Sequence, residues 1–252
     1  MERYEFFEFL AEEQYGSLPK IGDKRTPGIC TGQNGNLSLA TEAQIWLSGG
    51  IETLPASNLI THIASDNAGD TQVIRVQGYT LAGGLFTAVT QDVTLAGQTK
   101  TALPTALARI TNAWVTGTTG LAGTVKIAQD VVFTLGVPAS DVHATITATK
   151  NQTYKAVLTT ASDEFWFLEE IALSIGRAAQ GVVDFHVQVR KPGELFFTVL
   201  DLTLNSGATP VYLRPQCPII VPPNSDVRVL GTSSANSMVA DVRLCGPLGI
   251  VK

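Results

Sequence analysis

Nine consecutive residues limit the fold more than any other feature of the chain. From Val182 to Arg190, Val183, Phe185, Val187 and Val189 alternate with Asp184, His186, Gln188 and Arg190. Side chains on a strand point to opposite faces in turn, so strict alternation fits a half-buried β-strand and not a helix. The same period of two runs through Val142–Thr149, with Val142, Ala144, Ile146 and Ala148 on one face and His143, Thr145, Thr147 and Thr149 on the other. Val89, Val93 and Leu95 also share a face. This reading puts His143 and His186 on exposed polar faces. Shorter strands are expected near 72–77, 108–116, 124–135, 154–160, 165–175, 195–204, 211–220, 226–230 and 239–244. Turn signals separate them, among them Leu-Ala-Gly-Gly at 81–84 and Pro-Pro-Asn-Ser-Asp at 222–226. Short strands with regular punctuation predict an all-β chain of two antiparallel β-sandwich domains, jelly-roll or immunoglobulin-like. The break near 136–152 sets their bounds at 41–148 and 149–252.

The first 40 residues differ. In residues 1–15, Phe6, Phe7 and Leu10 fall near helical spacing, and Glu2, Glu5, Glu8, Glu12 and Glu13 fill much of the rest, which predicts an N-terminal helix. Residues 16–40 carry Gly, Pro and Asn with no sustained period and read as an extended arm. The composition break near residue 40 predicts that deleting 1–40 leaves a folded body. Tyr4, Phe6, Phe7, Phe9 and Leu10 are the candidate partner-binding residues, either on another subunit or packed back on the chain's own domains. The polar face of this segment is acidic, which does not suit a membrane surface.

Composition narrows the chemistry. Charged residues make up 15% of the 252, with a net charge of −5. The 17 Lys and Arg form no stripe, so a role in coating nucleic acid is not expected. There is no basic leader with an apolar run, and no apolar stretch of about 20 residues to span a bilayer. Three cysteines, Cys30, Cys217 and Cys245, without close spacing read as reduced thiols. Nucleophile-elbow, Walker, zinc-helix and dinucleotide motifs are missing. Asp163-Glu164 and Glu169-Glu170 are adjacent on strands and point apart. Asp66-Asn67-Ala68-Gly69-Asp70 lacks EF-hand spacing and reads as a polar turn. No enzyme, metal or cofactor is expected. Trp46, Trp114 and Trp166 are read as core or interface residues, although exposed tryptophans would favour glycan binding.

Three ordered segments carry a resemblance. The first is Thr41-Glu42-Ala43-Gln44-Ile45-Trp46-Leu47-Ser48-Gly49-Gly50, followed by His62–Asp70. The second is Val73-Ile74-Arg75-Val76-Gln77-Gly78-Tyr79, running into Thr90–Thr99 and Leu107–Val115. The third starts at Ile146-Thr147-Ala148-Thr149-Lys150-Asn151-Gln152-Thr153 and continues through Ala172–Arg177, Val183–Arg190 and Asn224-Ser225-Asp226-Val227. In this order they resemble a family of structural virion proteins of tailed bacteriophages. Gly78-Tyr79-Thr80 replaces the family's Gly-Leu-Asp, and Leu95-Ala96-Gly97 its Leu-Asn-Gly; both keep the turn glycine. The resemblance implies a non-enzymatic virion component assembled in the bacterial cytoplasm. As a capsid decoration or cement protein it would have the major capsid protein as partner, and it would be a homo-oligomer, a trimer by analogy. A tail, collar or head-fibre position, with host glycan binding, is the alternative.

Overall fold

The computed structural model describes residues 21–176, 181–206, 210–215 and 218–251, with backbone only for 21–28 and 250–251. The expected helix at 1–15, its residues Tyr4, Phe6, Phe7, Phe9 and Leu10, and Cys217 lie outside the described residues. Among the described residues the regular secondary structure is all strand, and no helix is long and apolar enough to cross a membrane.

In chain order the strands are β1 Ile21–Leu37, β2 Ala43–Gln44, β3 Ile60–Ser65, β4 Val73–Ala82, β5 Leu85–Thr94, β6 Thr101–Leu107 and β7 Arg109–Thr116. They continue with β8 Val125–Gln129, β9 Phe133–Thr134, β10 Val137–Pro138, β11 Val142–Ile146, β12 Val157–Thr159, β13 Glu164–Leu168 and β14 Glu170–Gly176. The last are β15 Val182–Arg190, β16 Phe197–Asn205, β17 Val211–Leu213, β18 Ile219–Val221, β19 Asp226–Ser233 and β20 Met238–Val251. All named pairings are antiparallel.

Four larger sheets enclose two apolar cores. The sheet β11-β8-β3-β6 and the sheet β5-β4-β7 supply Ile60, Ile63, Ile74, Val76, Ile110, Val125, Ile127 and Ile146 to the first core. The second core lies between the sheet built on β14, β20 and β13 and the sheet β12-β19-β15-β16. Strand β15 keeps its alternation: Val183, Phe185, Val187 and Val189 are at most 2% exposed. The β4–β5 turn is the expected one, with Gly83 and Gly84 at φ 57° and 80°, the two positive angles a type I′ hairpin requires.

The start of the chain departs from expectation. Residues 21–37 are not a free arm. They form β1, which runs along β20 from Ile21 opposite Val251 to Leu37 opposite Met238. Alternation was invisible here because Gly22, Pro27, Gly28, Gly32 and Gly35 interrupt it, and the strand is held by its partner rather than by propensity. Cys30 and Leu37 are buried in the second core. Gly32 permits a close approach, since a Cβ there would lie 2.5 Å from Ala156. Strand β2 also joins this sheet pair, through β19, and Ile45 follows it into the same core.

The predicted tolerance of a 1–40 deletion therefore fails on physical grounds. Removing residues 1–40 strips β1 from β20 and takes Leu37, 0% exposed, out of the core. A single buried leucine truncation already costs about 3–5 kcal/mol. Circular dichroism melts should show a cooperative transition of the full amplitude for the 21–252 chain and only the part carried by the first core, at reduced amplitude, for the 41–252 chain.

Candidate functional site

Charged side chains gather where elements of the two cores meet. Glu52 precedes β3, His143 lies on β11 and Lys155 leads into β12; they are 5%, 1% and 3% exposed. Lys155 Nζ stands 2.8 Å from Glu52 Oε1 and 2.8 Å from Oε2. It also donates to the carbonyls of His143, at 2.8 Å, and Ile110, at 3.2 Å. His143 Nδ1 lies 3.0 Å from Glu52 Oε1, and Nε2 lies 3.3 Å from Gln129 Nε2. One tautomer fits both: Nδ1–H donates to the carboxylate, and Nε2 accepts from the Gln129 amide. His143 is thus not on an exposed face. Alternation still holds along β11, but the face away from the first core is covered by the Glu52 segment. His186 is half-buried, with Nδ1 2.6 Å from Asp201 Oδ1 across β15–β16.

A second cluster lies close by. Arg109 of β7 makes a bidentate pair with Asp226 of β19, Nε to Oδ1 at 2.8 Å and Nη2 to Oδ2 at 2.9 Å. Arg109 is 3% exposed and Asp226 0%. Thr159 Oγ1 donates to Asp226 at 2.8 Å, and Arg190 Nε reaches it at 3.3 Å. The Arg109 guanidinium rests 4.9 Å from the Phe86 ring centre. Gly78 makes room for this reach, because a Cβ there would lie 2.1 Å from the Arg109 carbonyl. Arg109 and Asp226 come from the second and third segments that carry the resemblance. Trp46, from the first, has its ring 5.7 Å from Lys155 Nζ.

An acid, an imidazole and an amine within 3 Å would make an acid–base site if a substrate could reach them. These are enclosed, and their polar atoms are turned on one another, so their chemistry is structural. A 330 Å³ cavity adjoins the cluster, lined by amides and hydroxyls including Gln77, Asn112, Gln152 and Thr153. Lys155 is the one charged residue in its wall, and its ammonium points to Glu52. Trp46 and Trp166 are 4% and 0% exposed, so neither offers a platform for a sugar ring.

Other candidates fall into separate places. Glu164 accepts from the Ala161 amide, and Glu170 pairs with Arg214 at 2.9 Å. The Asp66–Asp70 turn directs its carboxylates to protein donors: Asp70 accepts from Ser65 Oγ and the amides of Ala122 and Gly123, and Asp66 from the Thr124 amide. Cys30 and Cys245 are free thiols, and burial pushes the Cys30 pKa up to about 12.

The outer surface carries a different kind of feature. Strands β9 and β10 form a two-residue hairpin whose turn is Leu135-Gly136, at φ 49° and 78°. Gly or Asn ordinarily takes the first of these positions. Here a leucine occupies it and is 70% exposed, between Val132 at 72% and Val137 at 38%. The hairpin is fixed, because the Gly136 Cα sits directly over the Ser65 carbonyl and leaves no space for a Cβ.

Neither the buried pairs nor the hairpin was visible as a site in the sequence. The available signals were single charges inside apolar runs, Arg109 in Leu-Ala-Arg-Ile and Lys155 in Tyr-Lys-Ala-Val, and a Leu-Gly turn where Asn-Gly is usual.

No family model matches the chain, and no curated protein does. Among solved structures, the infectious bursal disease virus Gt strain aligns at 12% identity over 96% of this chain and 78% of that one, with a TM-score of 0.23. The VP2 subviral particle of the same virus aligns at 11% identity over 96% and 77%, also with a TM-score of 0.23. At that score the likeness transfers neither fold nor function to this chain.

Two predictions test the buried groups. Leaving one member of a buried pair unpaired costs about 3–5 kcal/mol, whereas replacing both by apolar or neutral groups costs less. In urea unfolding, Glu52→Gln should lose about that much, and Glu52→Gln with Lys155→Met should lose less than the single variant. The second prediction concerns acid. Burial alone would raise the Glu52 carboxyl, but the Lys155 ammonium and the His143 bond outweigh it and hold it below the usual carboxylate range. Its stabilising contribution is complete above the ordinary Glu value of about 4.3 and drains away as pH falls through the lower folded value. Unfolding free energy measured between pH 5 and pH 2 should fall less steeply in Glu52→Gln.

Proposed function

We propose that this protein is a non-enzymatic structural component of a tailed-phage virion, a decoration or cement protein that binds the major capsid shell. The observation that carries the reading is the β9–β10 hairpin. Leu135 holds an angle that costs an L-residue about 1–2 kcal/mol, and it does so to hold an apolar side chain out in water. Strain kept at an exposed apolar tip is a mark of a contact surface. The rest of the described chain is consistent with a load-bearing role. Its buried charges lock strands together, and its two apolar cores make a stiff body. The ordered segments that resemble tailed-phage virion proteins supply the setting, and a homo-oligomer around many equivalent shell sites would gain avidity.

The test separates stability from binding. Asn tolerates the left-handed conformation far better than Leu. Leu135→Asn should therefore raise stability by about 0.5–1 kcal/mol while weakening binding to purified phage heads by about tenfold, the loss of one apolar anchor at an interface. Unchanged head binding by Leu135→Asn and by Val132→Asp would remove the hairpin from the interface. Immunogold labelling confined to one vertex or the tail would move the protein to the tail, collar or fibre.

A further inference from the structure

The face of the β17-β14-β20 sheet turned away from the second core carries a shallow trough, and strand register fixes its floor. Leu173 of β14 pairs Val211 and Val242, and Val242 pairs Gly32. Leu173 and Val242 of this row are buried in the second core. Residues directly opposite one another share a face, and neighbours along a strand alternate. The rows on either side therefore face outward: Tyr212, Ala172, Arg243 and Thr31 in one, and Ser174, Asp241 and Gln33 in the other. Ala172, Ser174 and Thr31 are short, so the floor is low. Tyr212, 68% exposed on β17, stands at one end. Tyr154, two residues ahead of the Ala156 that packs on Gly32, stands at the other. The trough holds 260 Å³, and from β17 to β1 it crosses three strand spacings, about 14 Å.

Between the two rings lie groups that bond rather than pack. Asp241 Oδ1 accepts from Gln33 Nε2 at 2.8 Å, and Arg243 Nε donates to Cys245 Sγ at 3.1 Å. These contacts hold both side chains on the outward face without exhausting them, because a carboxylate accepts through both its oxygens and a guanidinium has several N–H donors. Among the described residues Arg243 meets no carboxylate; Glu170, one row along, is taken by Arg214 at 2.9 Å. At the Tyr154 end, the exposed Lys150 ammonium stands 4.9 Å from the ring centre and adds another donor. The floor supplies the hydroxyls of Thr31 and Ser174.

A ligand that matches this trough is flat and apolar on one side and carries hydroxyls around its edge. A pyranose ring has that form. Its C–H face packs on an aromatic ring, whose electron-rich face attracts it, and its hydroxyls bond acid, guanidinium and amide groups. A few placed polar groups in a preformed, mostly apolar concavity is also the usual build of a small-molecule site. We propose that the trough binds carbohydrate, a short stretch of a glycan chain, with Tyr212 and Tyr154 as stacking platforms and Asp241 and Arg243 orienting the hydroxyls. The β9–β10 hairpin leans on β3 of the first core and the trough lies on strands over the second, so this inference does not depend on the virion reading.

The experiment applies the full chain to an array of oligosaccharides from bacterial O-antigens, capsules and peptidoglycan and from plant and storage glucans. The strongest probe is then titrated by calorimetry. The unaltered chain should hold at least one probe with a Kd of about 1 mM or below. Tyr212→Ala should weaken that probe about tenfold or more, and Arg243→Ala about as much. Tyr212→Phe, which keeps the ring, should hold it. Tyr212 and Arg243 are both exposed, so thermal melts should be the same in all three variants. Leu195→Asp, outside the trough, should bind as the unaltered chain does. An array with no retained probe would overturn the proposal. So would a probe held equally well by Tyr212→Ala. Loss of binding to phage heads, in place of glycan binding, in Tyr212→Ala would also overturn it, by assigning the trough to a protein partner.

Discussion

The Arg109–Asp226 pair is the contact on which the arrangement of the two cores depends. A guanidinium fork meeting a carboxylate edge to edge tolerates little rotation, and both groups are out of water. Arg109 begins β7, which bulges at Thr111 opposite Gln77 and Gly78 of β4, and Gly78 leaves room for the close approach. Asp226 begins β19, which β12 and β15 flank. The pair therefore joins a strand of the first core to the central strand of a sheet over the second. Asn224 adds a neutral version of the same link, accepting from the Phe86 amide at 2.7 Å and donating to the Gly84 carbonyl. Glu52 and Lys155 repeat it a short distance away. Such groups contribute specificity more than raw stability, because desolvation offsets much of their attraction. Their effect is to exclude other placements of one sheet pair on the other.

Much of the fold could be read from period two. Strand β15 was found residue by residue, because it has one face in the core and one toward water. The β4–β5 hairpin was found because Gly83-Gly84 is the turn chemistry it needs. Strand β1 was missed because its alternation is broken by glycines and a proline, and its strand character comes from β20, more than 200 residues away. His143 was misplaced for a related reason. A polar face on a strand reads as solvent, and only the tertiary packing of the Glu52 segment over it shows otherwise. Composition alone gives no way to know that Glu52 partners Lys155 and Arg109 partners Asp226, since the members of each pair are more than 100 residues apart in sequence.

The contrast between interior and surface frames the functional reading. Groups with reactive potential are enclosed and directed at one another. Groups with adhesive potential, Val132, Leu135, Leu195 and Phe197, stand at the ends of short strands and in the turns between them, with large exposed areas.

The pairing of β1 with β20 also sets an order of events during synthesis. The first core draws on residues 60–146, a contiguous stretch that can close as soon as it leaves the ribosome. Strand β1 is made before any of it, yet its partner is the last strand described. At about 5–20 residues per second, the glycine-rich segment from Ile21 to Leu37 waits roughly 10–40 s for Met238–Val251. Its interrupted hydrophobic pattern, which hid it from a strand reading, makes it a poor template for mispairing during that interval.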